Sequence, residues 1–598
     1  MSRPRFGTLP AAFQHTASIS PESVALRTPG DGQTLTWREY AHQVRAFAAG
    51  FAGIGVGRGD TVAFMMSNRI EFYPLEVAAQ HVGATSFSVY NTLPPEQLAY
   101  VLDNAGARVL VCEAEFLDRI HHSGIELDRV ICVDGDDSQA MSVSALINAG
   151  SYAFDFDATW RAVRSDDVAT LIYTSGTTGR PKGVETTHAS LMFQVYSLAE
   201  VLGIEFGDTT TSYLPTAHIA DRVAGLYIQE ALGTQVTCVA DIKQIAGALI
   251  DLHPSTWGAV PRVWEKLKAA IEHRVDSETE AETRTAMQQA LEVAALRGCL
   301  QLARQPVPAE VVAAWEHADA QVYGGLRAAV GLDKVRWAIS GAAPIPKETL
   351  AFFAGIGIPI CEAWGMSELA AVCSVSPPGE GKSGSVGKLL PGMQARLSAD
   401  GELLVRGPLV MKGYRGLPEQ TREAIDADGW LHTGDIAVID EEGYLSIVDR
   451  KKDIIINAAG KNMSPAHIEN TIKSVTPLIG SMALIGDARP YNTALMVLDV
   501  ETAGAFAQQN GLSDSSAEAL STHPGVVAAV KTAVERGNQR LARVEQIKRF
   551  LILPTYWEAG SDETTPTMKL KRKVIATKYA KEIENLYRDH LHNDVHEP

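Results

Sequence analysis

The sequence predicts an α/β protein with a large N-terminal domain of layered, mixed or parallel sheets and flanking helices, followed by a small mobile α+β C-terminal domain. Three observations carry that prediction. Short apolar runs alternate with longer helical patterns from about residue 20 to 330. The texture then changes to a hairpin, "IAVIDEEGYLSIVDR", after "LLVRGPLVMKGY". Finally, 598 residues exceed what one hydrophobic core accommodates, at about 100–200 residues per domain.

Taken in order, "TVAFMM", "RVLVCE", "RVICVD" and "VATLIY" read as buried strands, and "WREYAHQVRAFAAGFAGIG" carries apolar residues at helical spacing. The charged stretch from Glu265 to Gln305 reads as a helical insertion outside the main sheet, without catalytic character. The hairpin places Glu442-Gly443 at its turn. After it, Ser464 is positioned to cap a helix that starts at Pro465, within "SPAHIENTIKSV". The boundary is expected near residues 450–452, giving domains 1–449 and 450–598.

Composition removes several function classes. A formal net charge of −18 leaves no broad basic face, which argues against nucleic-acid binding and requires any anionic ligand to be drawn in by local cations. Six scattered cysteines without a C-x-x-C pair read as buried thiols of a reducing compartment. The first twenty residues lack an apolar core of signal-peptide type, and no run approaches the ~18–20 apolar residues of a membrane span. A cytoplasmic protein is expected, with peripheral membrane contact left open.

The stretch with the most chemistry is "YTSGTTGRPKG", Tyr173 to Gly183. It follows a strand and precedes the extended "GVETT", with a helix expected from His188. Its glycines, Gly176 and Gly179, let backbone N–H groups approach an anion. The hydroxyls of Thr174, Ser175, Thr177 and Thr178 can donate, and Lys182 adds charge. The spacing does not satisfy G-x-x-x-x-G-K-[ST]. A second glycine cluster, Gly379 to Gly384, formally matches G-x-G-x-x-G but follows two prolines and opens no helix, so it is rejected as a dinucleotide site.

This loop resembles the signature of the adenylate-forming superfamily, which includes acyl-CoA synthetases, luciferases and nonribosomal adenylation domains. Five further stretches of that pattern follow in order: "SGAAP" (340–344), "WGMSE" (364–368), "HTGD" (432–435), "VDRKKDIIINAAGKNMSP" (448–465) and "TMKLKR" (567–572). "LPTAHIAD", "WGAVPRVWEK" and "SGAAPIPKETLAFF" are similar, more narrowly, to long-chain and very-long-chain fatty acyl-CoA synthetases.

The resemblance implies a reaction in two steps. A fatty carboxylate attacks the α-phosphorus of ATP, releasing pyrophosphate, and coenzyme A then displaces AMP. It also implies roles. The loop and Lys182 face the β- and γ-phosphates, Glu368 helps hold Mg²⁺, and Ser367 lies beside the α-phosphate. Trp364, with Gly365, stands where a tyrosine is commoner and stacks on adenine. Gly341, Ala342 and Ala343 form the opposite wall. Asp435 and Arg450 bind the ribose, and His218 orients the carboxylate and adenylate.

Lys569 aligns with the adenylation lysine, although Met568 stands where shorter-chain relatives carry glycine, and Lys571, Arg572 and Lys573 are neighbouring alternatives. Lys452 matches the hinge, and Gly460 marks the loop that comes forward for the coenzyme A step. "WGAVPRVW" (257–264) is compatible both with an acyl tunnel and with a buried strand–helix junction. A fatty acyl-AMP ligase that loads a carrier protein, or a nucleotide-binding regulator without turnover, are the alternative functions.

Overall fold

The computed structural model describes residues 4–30, 32–135, 137–174, 180–458, 461–558, 560–565, 568–588, 590, 592 and 594–598. Its largest sheet has eight strands. Thr61–Met65, Thr85–Ser88, Ala107–Cys112, Arg129–Cys132 and Val168–Thr174 run parallel. Most are apolar runs, as strands covered on both faces tend to be, while Thr85–Ser88 is buried despite its hydroxyls. All five residues of Thr61–Met65 are buried. At one edge the sheet turns antiparallel: Val168–Thr174 pairs with Lys182–Thr187, which pairs in turn with the short strand Gly413–Tyr414. Thr174 and Lys182 therefore pair across adjacent strands near one edge of the sheet. Helix His188–Leu202 begins where expected, capped by Thr187.

A second sheet of five strands begins with the parallel set Thr256–Ala259, Trp337–Ser340 and Ile360–Trp364. Its outer layer corrects the reading of the charged helical stretch. Helices Pro261–Asp276 and Ala281–Leu302 do lie outside the eight-stranded sheet, but they are not an appendage. Trp264, Leu267, Ile271, Ala290 and Ala294 are buried in one cluster with Phe353. On helix Pro261–Asp276 the charges lie away from the apolar stripe, whereas helix Ala281–Leu302 packs through the small residues Ala290, Ala294 and Gly298. Trp257 and Trp264 meet edge to face at 4.8 Å, and Trp257 Nε1 donates to Thr211 Oγ1 at 3.0 Å. In this conformation the two tryptophans of "WGAVPRVW" are core.

The antiparallel hairpin forms as predicted, with Leu431–Ile439 against Leu445–Arg450 and Gly443 in the left-handed region at its turn. Beyond it a separate core gathers Ile468, Ile472, Met482, Val526, Val530 and Phe550. Helix Pro465–Lys473, capped by Ser464 as expected, packs there on a four-stranded sheet that starts with Ile479–Ile485 and Asn492–Leu498. This core draws on no residue before Ile455, so the C-terminal unit has a hydrophobic core of its own. One cysteine departs from expectation: Cys299 is exposed on its helix, while the other five are buried. Among the described residues no helix is long and apolar enough to cross a membrane.

Candidate active site

The site lies at the carboxyl ends of strands from the eight-stranded and five-stranded sheets, the position at which open α/β sheets leave a crevice. Thr174 ends Val168–Thr174, Gly341 follows Trp337–Ser340, and Gly365 follows Ile360–Trp364. Two glycines are sterically fixed here. A Cβ on Gly365 would sit 1.7 Å from the Ala371 carbonyl oxygen, and one on Gly183 would sit 2.9 Å from the Tyr173 ring. Ala342 and Ala343 are exposed at the crevice wall, with Ala342 at φ 69°. Ser367 opens a short helical turn that leaves Glu368 almost fully buried.

Glu368 Oε1 accepts a hydrogen bond from the Tyr414 hydroxyl at 2.9 Å. The Lys182 ammonium sits 4.7 Å from the centre of the Tyr414 ring. Among the described residues no group of three His, Cys, Asp or Glu side chains could cage a metal. A lone carboxylate with one oxygen already oriented suits Mg²⁺, which keeps water and takes substrate phosphate oxygens as ligands.

Asp435 is 3% exposed. Its Oδ2 accepts from Trp364 Nε1 at 2.9 Å, and its Oδ1 pairs with Arg450 Nε at 2.9 Å. Burial pushes its carboxyl above the usual range, opposed by Arg450, by the indole hydrogen bond and by Lys569. The indole thus supplies a donor to Asp435, and each carboxylate oxygen retains a lone pair for a sugar hydroxyl. Neighbouring Asp449 faces the other way. Its Oδ2 accepts from Ser464 Oγ at 2.5 Å and from the Ala466 N–H at 3.2 Å, which ties the hairpin to the first helix of the small domain.

Lys569 enters from the small domain, exposed to the crevice yet walled in by protein. Burial, then Arg450, lower its pKa, while Asp435 and Glu368 oppose them. The alternative cations are engaged elsewhere: Lys571 Nζ donates to the Ser561 carbonyl at 2.8 Å, and Arg572 pairs with Glu469 at 2.7 Å. Lys573 instead faces Lys452, whose pKa is lowered by burial and, once Asp453's raising effect is set aside, by Arg450, Lys573 and Lys182. Met568 adopts φ 61°, a left-handed conformation that glycine takes without strain. A glycine at this position would adopt the same angle without strain, so the backbone here is compatible with either residue.

His218 is half-buried, and its Nδ1 accepts the Ala220 N–H at 3.2 Å. Burial and Lys569 hold its pKa down at about 4. The ring is therefore neutral at pH 7, with its proton on Nε2. Behind it, the fully buried pair Arg222–Glu76 fixes the turn, with Arg222 Nη1 donating to the Thr216 carbonyl at 3.4 Å. Asp221 accepts from Ser212 Oγ at 2.7 Å and from the Tyr213 and Leu214 amides, not from His218, so no Ser–His–Asp relay forms. Ser175, Gly176, Thr177, Thr178, Gly179 and Gly460 lie outside the described residues.

Sequence reasoning passed over three contributors. Tyr414 is 46 positions from Glu368, beyond any periodic signal. Lys573 was weighed only as a rival to Lys569. Glu362, two residues before Trp364 and so on the same strand face, is pushed up to about 8 by burial, with Lys347 opposing.

Comparison with known proteins agrees with this architecture. The profile of the AMP-binding enzyme family matches residues 13–415, and that of the AMP-binding enzyme C-terminal domain matches residues 452–591. The chain is 60% identical over 445 residues to a Mycobacterium tuberculosis protein named fatty-acid–CoA ligase FadD11, covering 74% of this chain and 78% of that one. It is 35% identical over 589 residues to the long-chain-fatty-acid–CoA ligase FadD15 of Mycobacterium bovis, covering 96% of each. Among solved structures, an anthranilate CoA ligase in complex with anthranoyl-AMP superposes with a TM-score of 0.72 at 17% identity, covering 97% of this chain and 99% of that one. A Mycobacterium tuberculosis fatty acyl CoA synthetase does so with 0.60 at 21%, covering 96% and 99%. The chain belongs to the AMP-binding enzyme family.

Proposed function

We propose that this protein is a long-chain fatty acid:CoA ligase that forms acyl-AMP and pyrophosphate from ATP and then acyl-CoA and AMP. The observation that carries the reading is the convergence of Lys182, Arg450, Lys452 and Lys569 with Glu368 and Asp435 in one crevice, on a chain whose net charge is −18. Such a concentration of cations on an acidic protein suits a triphosphate. FadD11 and FadD15 support fatty acids as the acid class.

The chemistry needs charge neutralisation more than proton transfer. A fatty carboxylate is already ionised at pH 7, so no general base is required. Attack brings two anions together, and Lys569 offsets their repulsion by bridging the carboxylate and the α-phosphate. Lys182 and the Thr174 loop take the terminal phosphates. Asp435 and Arg450 hold the ribose, Trp364 covers the adenine, and neutral His218 donates from Nε2 to the acyl carboxyl. Glu368 would hold Mg²⁺, which when bound neutralises phosphate charge. Rotation about Lys452 then withdraws Lys569 and brings the Gly460 loop to the crevice for coenzyme A.

The test is a product analysis with free fatty acids of graded length, with and without coenzyme A. The reading expects pyrophosphate release with long acids and AMP release that depends on coenzyme A. Adenylate that accumulates regardless of coenzyme A, and discharges only onto a carrier protein, would favour the acyl-AMP ligase instead.

A further inference from the structure

The segment 411–415 straps the two halves of the phosphate end of the crevice together. At one side the Met411 N–H donates to the Glu368 carbonyl at 2.9 Å. At the other, the Lys412 N–H donates to the Glu185 carbonyl at 2.9 Å and the Arg415 N–H to the Gly183 carbonyl at 2.8 Å. Tyr414 pairs with Val184 across the sheet edge, and Arg415 forms an ion pair with Glu185 at 2.7 Å. The strap is thus locked in register with the strand that carries Lys182.

The Tyr414 side chain repeats the backbone pattern at the level of chemistry. Its hydroxyl donates to Glu368 Oε1, and its ring face lies beneath the Lys182 ammonium. The Tyr414 N–H donates to Thr421 Oγ1 at 2.9 Å, which anchors the residue from behind. Burial, the Glu368 charge and their hydrogen bond all push the phenol up, so it stays a donor across the working pH range. A donor on Oε1 fixes the carboxylate plane and leaves Oε2 to a cation. A π-face under the ammonium limits where Lys182 can swing.

We propose that Tyr414 is a positioning residue for magnesium-dependent ATP binding, coupling the carboxylate that faces the metal to the lysine that faces the terminal phosphates. The inference rests on the adenylation reading above. Because it acts on the β- and γ-phosphate end, it concerns ATP and not AMP.

The test is calorimetric binding of ATP, without fatty acid and therefore without turnover, at graded Mg²⁺ and in its absence. AMP serves as the control. Tyr414→Phe keeps the ring and removes the donor. It should weaken ATP binding in saturating Mg²⁺ by about tenfold, the effect of a hydrogen bond to a charged group, while leaving AMP and Mg²⁺-free ATP binding within about twofold. In a Glu368→Gln background the same substitution should have little further effect, since the two act as a unit. An unchanged Mg²⁺ dependence in Tyr414→Phe, equal weakening of AMP, or full additivity with Glu368→Gln would overturn the proposal. A wild-type protein with no Mg²⁺-dependent ATP binding would instead overturn the adenylation reading itself.

Discussion

The two walls of the crevice are built differently. On the large-domain wall both carboxylates are held by hydrogen-bonding partners: Asp435 by Trp364 and Arg450, and Glu368 by Tyr414. On the small-domain wall Lys569 sits in a turn, where the Lys569 N–H donates to Thr565 Oγ1 at 3.0 Å. Its position also depends on ion pairs between the domains. Arg262 meets Asp499 at 2.6 Å, Lys266 meets Glu501 at 2.7 Å, and Arg540 meets Glu348 at 2.8 Å. The last two pairs are exposed and worth about 0–1 kcal/mol each, weak enough to break and re-form, while Arg262–Asp499 is part-buried. The contrast suits a fixed wall that holds the nucleotide through both steps and a mobile wall that serves one.

Substitutions on the two walls should therefore fail differently. The largest effect is expected on the mobile wall. Lys569→Ala should lower acid-dependent adenylate formation by about 10²–10³-fold, while thioester formation from supplied acyl-adenylate persists. Loss of both half-reactions would erase the contrast. On the fixed wall, Asp435→Asn leaves Arg450 without its carboxylate and should slow both half-reactions alike, by about tenfold or more. Kinetics of the two half-reactions run side by side decide this.

The pH profile gives a finer distinction. The cationic form of Lys569 is the useful one, and its pKa is lowered by burial. Activity of the free enzyme, read as kcat/KM for ATP, should thus fall as pH rises, at a lower pH than an ordinary lysine allows. Lys569→Arg should move that alkaline limb upward. His218, neutral above about 4, should add no acid limb between pH 5 and 8. The smallest effect belongs to the ion pairs. Lys266→Ala, or higher salt, should slow adenylation by about two- to threefold and favour the thioester step, as read from the partition of a preformed adenylate.

Most of the framework was legible in local patterns. Four of the parallel strands announced themselves as apolar runs, the Ser464 cap as Ser-Pro before a periodic stretch, and the hairpin as a turn residue pair between alternating strands; the hydroxyl-rich Thr85–Ser88 did not. The order of the six motifs marked the crevice, because each sits at a strand end or turn where side chains matter more than packing. What escaped depends on distant pairing. Nothing near Tyr414 announces its bond to Glu368, since a sheet edge brings them together. The buried face of helix 261–276 was masked by its charges, and that of helix 281–302 by being made only of Ala290, Ala294 and Gly298. Met568 stands at a left-handed backbone angle, a property that a methionine in the sequence does not announce.

The central claim is that an acid and ATP react in this crevice before any thiol arrives. Exchange of labelled pyrophosphate into ATP, measured without coenzyme A across fatty acids of graded length, tests it most directly. Exchange should require a long-chain acid and Mg²⁺ and fall to background in Lys569→Ala. Exchange absent with every acid in folded wild-type protein, or undiminished in the lysine variant, would contradict it.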